Sequence, residues 1–141
     1  MEWMLMPFWR YADFSGRSRR REYWMFVLLY FIVYAVGIAL MMMGGFSMGE
    51  LEGAPAASPG ASFWLGAALV TIFAIGSFIP SIAVQVRRFH DQDRSGWMVL
   101  LNFVPYVGAL VVLIFMLLEG TRGPNRYGPD PKDPTSADVF A

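Results

Sequence analysis

The chain has 141 residues, of which 56% are apolar and 16% are charged, and its mean hydropathy is +0.45. The apolar fraction is higher and the charged fraction lower than in a typical soluble domain. A chain of this length cannot bury so many apolar side chains in one core. The absence of cysteine excludes disulfides, thiol nucleophiles and thiolate metal sites, and the formal net charge is zero. The composition therefore predicts an all-α integral membrane protein.

The amino-terminal segment, residues 1–23, is rich in aromatic and arginine residues. Its apolar part is too short for a signal peptide, and no cleavage site of small residues follows, so we expect the segment to be retained. Aromatic rings favour the headgroup zone of a bilayer. The segment is therefore predicted to lie on the cytoplasmic surface of the membrane.

Three apolar stretches, residues 24–43, 62–84 and 97–118, are predicted to be transmembrane helices. The first has twenty residues without a charge, enough to cross about 30 Å of hydrocarbon. The second is also uncharged, and its small residues at steps of three and four predict a helix-packing face. This small-residue face consists of Ala67, Thr71, Ala74, Ser77 and Ser81. For Thr71 and the two serines, the alternative is that they line a polar substrate path.

The third stretch is interrupted by Asn102 and by Pro105 to Gly108. A proline removes a backbone donor and kinks a helix. Two geometries fit: one span kinked at Pro105, or a re-entrant hairpin with residues 105–108 at its tip. The single span is favoured, because irregular backbone at membrane depth needs a cover of protein or water. Three spans would place the tail, residues 119–141, outside the cell, and a hairpin would place it inside.

The arginines predict the orientation. Five of them precede the first span, none lies in the loop 44–61, and three lie in the charged connection 85–96. By the positive-inside rule, the amino terminus and this connection are cytoplasmic and the loop is exterior. The tail is predicted to form an ordered turn sequence and to be disordered after residue 133; the turn residues are Gly123, Pro124, Asn125, Gly128, Pro129 and Pro131.

The charged connection contains the run "RRFHDQDRSGW". If the second helix continues past Val84, four polar residues of this run share one face: Arg87, His90, Asp91 and Arg94. Such a face can clamp an anion or form solvated ion pairs. A pair of Arg87 with Asp91 is expected to be exposed and weak. A network that reaches Glu22 would instead fix the packing of the first two helices. The candidate anion, lipid-headgroup or structural site comprises Arg17, Arg20, Glu22, Arg87, Arg88, His90, Asp91, Arg94 and Ser95.

Catalysis is not expected at this run. Consecutive helical residues point about 100° apart, so Asp91 is badly placed to orient His90, and Ser95 lacks the turn that exposes a nucleophile. With one histidine and no cysteine, neither a metal site nor a cofactor is predicted. The juxtamembrane arginines are explained by topology and anionic lipid, without nucleic acid. We therefore expect a protein that is not an enzyme.

Four motifs occur in order along the chain: "FSGRSRRREYW", "VRRFHDQDRSGW", "VPYVG" and "GTRGPNRYGPDP". Together they resemble the small bacterial inner-membrane proteins known as domain of unknown function 805, over residues 9–131. The resemblance implies an inner-membrane protein without an assigned activity. The matching positions are Gly16, Arg17, Arg20, Glu22, Trp24, Arg87, Arg88, His90, Asp91, Ser95, Trp97, Pro105, Gly108, Gly120, Asn125, Tyr127, Gly128 and Pro131.

The function predicted from these features is an accessory or structural membrane subunit that packs against itself or a larger complex. Its cytoplasmic rim, residues 17–22 and 87–94, is expected to bind an anionic lipid head group or organise a partner. The alternative is an oligomeric transporter or lipid-handling protein with a cavity near Arg87, His90 and Asp91.

Overall fold

The computed structural model describes residues 2–45 and 59–133, and these residues are helical without a β-strand. The all-α class is therefore confirmed. The helices in chain order are α1 Glu2–Trp9, α2 Arg20–Gly45, α3 Ala61–Asp91, a 3-10 helix Gly96–Phe103, and α4 Val107–Leu117.

Two of these helices, α2 and α3, are long enough to span a membrane. With 26 and 31 residues at about 1.5 Å per residue, each exceeds the hydrocarbon thickness of about 30 Å. Only 11% and 22% of their apolar windows are buried, so they are not core helices of a soluble protein. They contain the predicted spans 24–43 and 62–84, and α3 continues seven residues further as a helix.

The described residues form two compact units. One unit comprises residues 28–45 and 59–77, and the other comprises residues 2–27 and 78–133. In the first unit, α2 and α3 pack closely at Gly37 and Gly66, where a Cβ on either glycine would overlap the opposite helix. The small-residue face of α3 therefore contributes to packing in part, because Ser77 is buried while Thr71 is exposed.

The second unit has its apolar core between α3 and α4. Phe89 of α3 packs with Val112 and Met116 of α4, and the Phe89 and Phe115 rings meet edge to face with their centroids 5.9 Å apart. Near the amino terminus, Phe8 of α1 makes the same kind of contact with α2. The apolar side chains thus hold α1 and α4 against the ends of the long helices.

The single kinked span predicted for residues 97–118 is wrong. The 3-10 helix ends at Phe103, and α4 begins only at Val107 after a turn. Tyr106 has a positive φ of 60°, which reverses the chain direction, and Pro105 supplies no N–H to continue a helix. Gly108 then packs on the Leu101 carbonyl so closely that a Cβ would overlap it. The structure has the hairpin geometry.

The hairpin returns to the end of α3, where it started. Each terminal carbonyl of α4 accepts a hydrogen bond from a side chain of α2, α3 or the segment after α3, which satisfies groups that a helix end leaves unpaired. The donor and acceptor pairs are Gln92 with Phe115, Trp24 with Met116, Arg20 with Leu117, and Arg88 with Leu118. Two of these donors are cationic, which also suits the negative end of the helix dipole.

Two predictions fall largely on residues outside the described ranges. They are the flexible exterior loop, of which residues 46–58 are not described, and the disorder of the tail after residue 133.

Candidate functional site

Asp91, the last residue of α3, is the centre of a buried ion-pair cluster. Its Oδ1 accepts a hydrogen bond of 3.0 Å from Arg17 Nε, and its Oδ2 accepts one of 2.5 Å from Arg88 Nη1. Asp91 is 2% exposed, and the two arginines are 6% and 0% exposed. Each carboxylate oxygen is therefore neutralised by its own guanidinium group.

Arg17 also holds the tail. Its Nη1 donates to the Gly123 carbonyl at 2.7 Å and its Nη2 to the Thr121 carbonyl at 2.6 Å, while the Thr121 N–H donates to the Asp91 carbonyl at 2.8 Å. Asp130 lies 3.9 Å from Arg17, and its pKa is lowered chiefly by a hydrogen bond from the Lys132 backbone. One arginine thus joins the amino-terminal segment, α3 and the tail.

A second buried pair joins α2 to α3. Arg87 Nη2 donates to Glu22 Oε1 at 3.0 Å, and the Ser18 hydroxyl donates to Glu22 Oε2 at 2.6 Å. The Ser18 N–H donates to the Arg87 carbonyl at 3.2 Å. Asp13 lies 3.9 Å from Arg87 Nη1, which has no hydrogen-bond acceptor among the described residues. The Glu22 network anticipated from the sequence is therefore present as a direct contact with Arg87.

The charges of the buried side chains nearly balance. The buried network, defined as Arg17, Glu22, Arg87, Arg88 and Asp91, contains three cations and two anions. Its excess positive charge faces Asp130 at 3.9 Å from Arg17. Because a buried charge is tolerated only when it is paired, this arrangement uses its cations internally. It favours a structural role over an open anion site.

His90 contacts the tail. Its ring stacks on Tyr127 with centroids 3.8 Å apart, its Nδ1 lies 3.3 Å from the Gly16 carbonyl, and its own carbonyl accepts from Asn125 Nδ2 at 2.9 Å. Asn125 and Gly128 exchange two backbone hydrogen bonds of 3.0 Å, which close a turn within the tail. The tail therefore packs on the same end of α3 as the amino-terminal segment.

A protein family described as protein of unknown function (DUF805) matches residues 11–129. The chain belongs to this family. It is 40% identical to inner membrane protein YhaI of Escherichia coli (strain K12), over 94% of this chain and 97% of the relative. It is 41% identical to inner membrane protein YhaH of the same strain, over 94% and 98%. No solved structure matches it.

The family assignment and the fold agree on the class of protein. Both named relatives are inner membrane proteins, and the described chain has two long apolar helices with mostly exposed side chains. This DUF805 chain is therefore a helical membrane protein. The match covers every part of the buried network.

Several expectations for the charged run of this DUF805 chain are wrong. Arg87 is buried and pairs with Glu22, not with Asp91. Helix α3 ends at Asp91 in a Schellman motif, in which Asp93 is left-handed with a φ of 54°. Arg94 consequently leaves the helical face and lies over the Phe115 ring, 4.5 Å from its centroid.

The remaining candidates are dispersed. Ser95 caps the 3-10 helix by accepting the Trp97 N–H at 3.4 Å, and Arg20 pairs with Glu119 at 2.6 Å in a largely exposed position. Because both Asp91 oxygens are held by arginines, no relay through His90 to Ser95 is formed. Residues 2–45 and 59–133 contain no group of three metal-binding side chains.

Sequence reasoning named Arg17, Arg20 and Arg88, but it gave Gly120, Gln92 and Trp24 no part in docking the tail or the hairpin. A Cβ on Gly120 would overlap the Asp91 carboxylate, so this glycine permits the close approach of the tail. Gln92 and Trp24 cap α4 although neither belongs to an obvious capping pattern. A glycine soon after an apolar stretch is a signal for close approach, but no such signal marked Gln92 and Trp24 as cap donors.

Proposed function

We propose that this protein is a non-catalytic accessory or structural subunit of the bacterial inner membrane, with α2 and α3 as its spans. In this proposal both termini are cytoplasmic, and the hairpin of residues 96–118 enters the inner leaflet and returns. The supporting observation is the contact of Arg17 with Asp91, Thr121 and Gly123, which joins the amino-terminal segment and the tail at one end of α3.

The length of the hairpin supports its re-entrant position. Eight residues of 3-10 helix at about 2.0 Å per residue and eleven of α-helix at about 1.5 Å per residue each reach about 16 Å, half of the hydrocarbon thickness. The tip exposes 93% of Tyr106 and 82% of Phe103. Irregular backbone at such a depth needs a protein cover, which motivates a partner subunit or a second copy at the tip.

Reporter fusions test the topology. A fluorescent protein joined after residue 133 should fluoresce, because it folds in the cytoplasm. Alkaline phosphatase joined at the same position should be inactive, because it folds only outside the cytoplasm. The matched control is a fusion after Gly45, at the end of α2, which should give the opposite pair of signals. An exported tail would overturn the two-span proposal.

Photocrosslinking in native membranes tests the subunit role. A photoreactive amino acid at Tyr106 should give a defined crosslinked species, whereas the same residue at Ile72, 72% exposed on α3, should give mainly lipid adducts. Only lipid adducts from both positions, together with a monomeric protein in mild detergent, would contradict an accessory role.

A lipid-handling protein is the second candidate function, motivated by an apolar groove of about 550 Å³ beside His90. The groove is lined by Phe14, Ile82, Val86, Trp97 and Tyr127 among others, and Arg87 and Asp91 do not line it. Val86→Trp should fill it. Retained labelling by a photoreactive fatty acid after this change would count against a groove function.

A further inference from the structure

Four cations lie near the start of α2 and are not part of the buried network. These outer cations are Arg19, Arg20, Arg21 and Lys132. Arg19 and Arg21 have their guanidinium carbons 5.6 and 5.8 Å from the Trp3 ring, and within the described ranges neither meets a carboxylate. Arg20 and Lys132 share one carboxylate, Glu119, at 2.6 and 4.0 Å. Four cations therefore face a single anion, which leaves an excess of three positive charges.

These cations surround an open cleft of about 490 Å³. The rest of its lining is apolar: the Trp24 ring and Leu117, which is 53% exposed at the end of α4. Trp24 also lies at the start of the uncharged run that follows Glu22 and continues through α2. The cleft thus has a cationic part at the water boundary and an apolar part toward the hydrocarbon.

We propose that this cleft binds an anionic phospholipid. Its phosphate contacts Arg19, Arg21 and Lys132, and an acyl chain lies over Trp24 and Leu117. Guanidinium groups suit a phosphate because they form charge-assisted, often bidentate hydrogen bonds. The inference rests on the proposed membrane location and assigns the head-group site to this cleft, outside the buried network.

The buried network explains why the head group binds outside it. Arg17 is held by Asp91 and by tail carbonyls, and Arg88 is held by Asp91 and by the Leu118 carbonyl, so a lipid phosphate would have to displace these buried contacts and open the fold. The outer cations require no such opening, because the side-chain contacts of Arg19 and Arg21 with the described residues are ring contacts with Trp3. The cytoplasmic rim thus separates into an inner structural layer and an outer lipid-binding layer.

Native mass spectrometry in mild detergent tests the proposal with added phosphatidylglycerol. Arg19→Gln with Arg21→Gln should weaken phosphatidylglycerol binding about 25-fold, at about fivefold for each juxtamembrane cation removed. The matched control, Arg122→Gln with Arg126→Gln, removes the same charge from the tail and should change binding less than about twofold, since neither residue lines the cleft. Equal binding by the outer-cation variant and the wild type would overturn the proposal.

Two further arms separate a lipid from a simple anion. Leu117→Ser should weaken phosphatidylglycerol binding, while Leu100→Ser, a similarly exposed leucine of the 3-10 helix, should not. Phosphatidylcholine and inorganic phosphate should compete poorly with phosphatidylglycerol. Displacement of the lipid by inorganic phosphate alone, with no effect of Leu117→Ser, would identify an ordinary anion site and reject the lipid.

The outcome is independent of the topology assay. The measurement in detergent does not depend on the side of the membrane, so an exported tail would overturn the proposed topology and leave the binding result standing. Conversely, unchanged lipid binding in the outer-cation variant with a cytoplasmic tail would reject only the lipid site.

Discussion

Arg87 shows how burial changes the value of an ion pair. It is fully buried and donates one hydrogen bond to Glu22, whereas the Arg20–Glu119 pair is 40% and 59% exposed. Removing one partner of a buried pair leaves the other as an uncompensated charge in a medium of low dielectric. An exposed pair exchanges its partner for water and loses little.

Glu22→Gln should therefore destabilise the protein by about 3–5 kcal/mol, and Glu119→Gln by less than about 1 kcal/mol. The measurement is unfolding in mild detergent, followed by circular dichroism. Addition of Arg87→Met to Glu22→Gln should restore part of the loss, because the buried cation is then removed as well. Equal destabilisation by the two single glutamate substitutions would contradict the structural role of the buried pair.

Asp13 should titrate far below a normal aspartate. Its pKa is lowered from 3.8 to about 2, first by the hydrogen bond from the Ser15 hydroxyl, then by contacts with Arg10 and the Ser15 backbone. A lowered folded pKa means that its contribution to stability is present above the unfolded value and is lost as the pH falls from about 4 to about 2.

Carboxyl NMR shifts followed against pH measure this pKa. Ser15→Ala should raise the Asp13 midpoint toward its usual value, because the largest stabilising hydrogen bond of the carboxylate is gone. Ser81→Ala, on α3, serves as the control and should leave the midpoint unchanged. A normal midpoint in the wild-type protein would show that the 10–15 loop is not held as described.

Among the elements, α4 depends most on its neighbours. It has eleven residues, and isolated helices of this length are marginal in water. Its terminal carbonyls take donors from Trp24, Arg20, Arg88 and Gln92, and Gly108 gives its first turn a close contact with the Leu101 carbonyl. The hairpin is thus defined by tertiary contacts at both ends.

Gly108→Ala should open the hairpin, because the added methyl meets backbone that cannot rotate away; we expect a cost of about 3 kcal/mol. The chain has no cysteine, so Val112→Cys provides a unique buried thiol for accessibility measurements. Its alkylation should accelerate in the Gly108→Ala background. Gly76→Ala, where a Cβ meets no atom within 4 Å, is the control and should stabilise α3 slightly.

At the scale of the whole molecule, the polar motifs gather at the end of α3 although they are far apart in sequence. Arg17 lies 74 residues from Asp91 and 106 residues from Gly123, yet it donates hydrogen bonds to both. Exposed apolar residues cover the long helices, so the buried polar contacts provide much of the specific tertiary structure there.

Arg17→Gln should release the tail without unfolding α2 and α3. Loss of its charged hydrogen bonds, each worth about 1.5–3 kcal/mol, should increase trypsin cleavage after Arg122 and Arg126 at least tenfold. Helix content by circular dichroism should stay nearly constant. Arg10→Gln is the control, because the Arg10 side chain donates to Asp13 and Ser15 and to no tail residue between positions 119 and 133. Unchanged cleavage in Arg17→Gln would show that the tail is held by other contacts.

The sequence by itself determined the membrane class and the two long helices, because apolarity and helix length are local properties of the residues. It also singled out Arg17, Glu22, Arg87 and Asp91 as polar residues at one level of the chain. Only the tertiary structure decided which of them pair. The sequence allows Arg87 to pair with Asp91 or with Glu22, and the packing of α2 on α3 places Glu22 Oε1 3.0 Å from Arg87 Nη2.

The hairpin was also decided by tertiary structure. Residues 97–118 have the length and apolarity of a span, and Pro105 is compatible with a kink or a reversal. The reversal is selected because Gly108 can pack on Leu101 and because donors on α2 and α3 meet the end of α4. Such contacts depend on distances between remote residues, which local pattern does not contain.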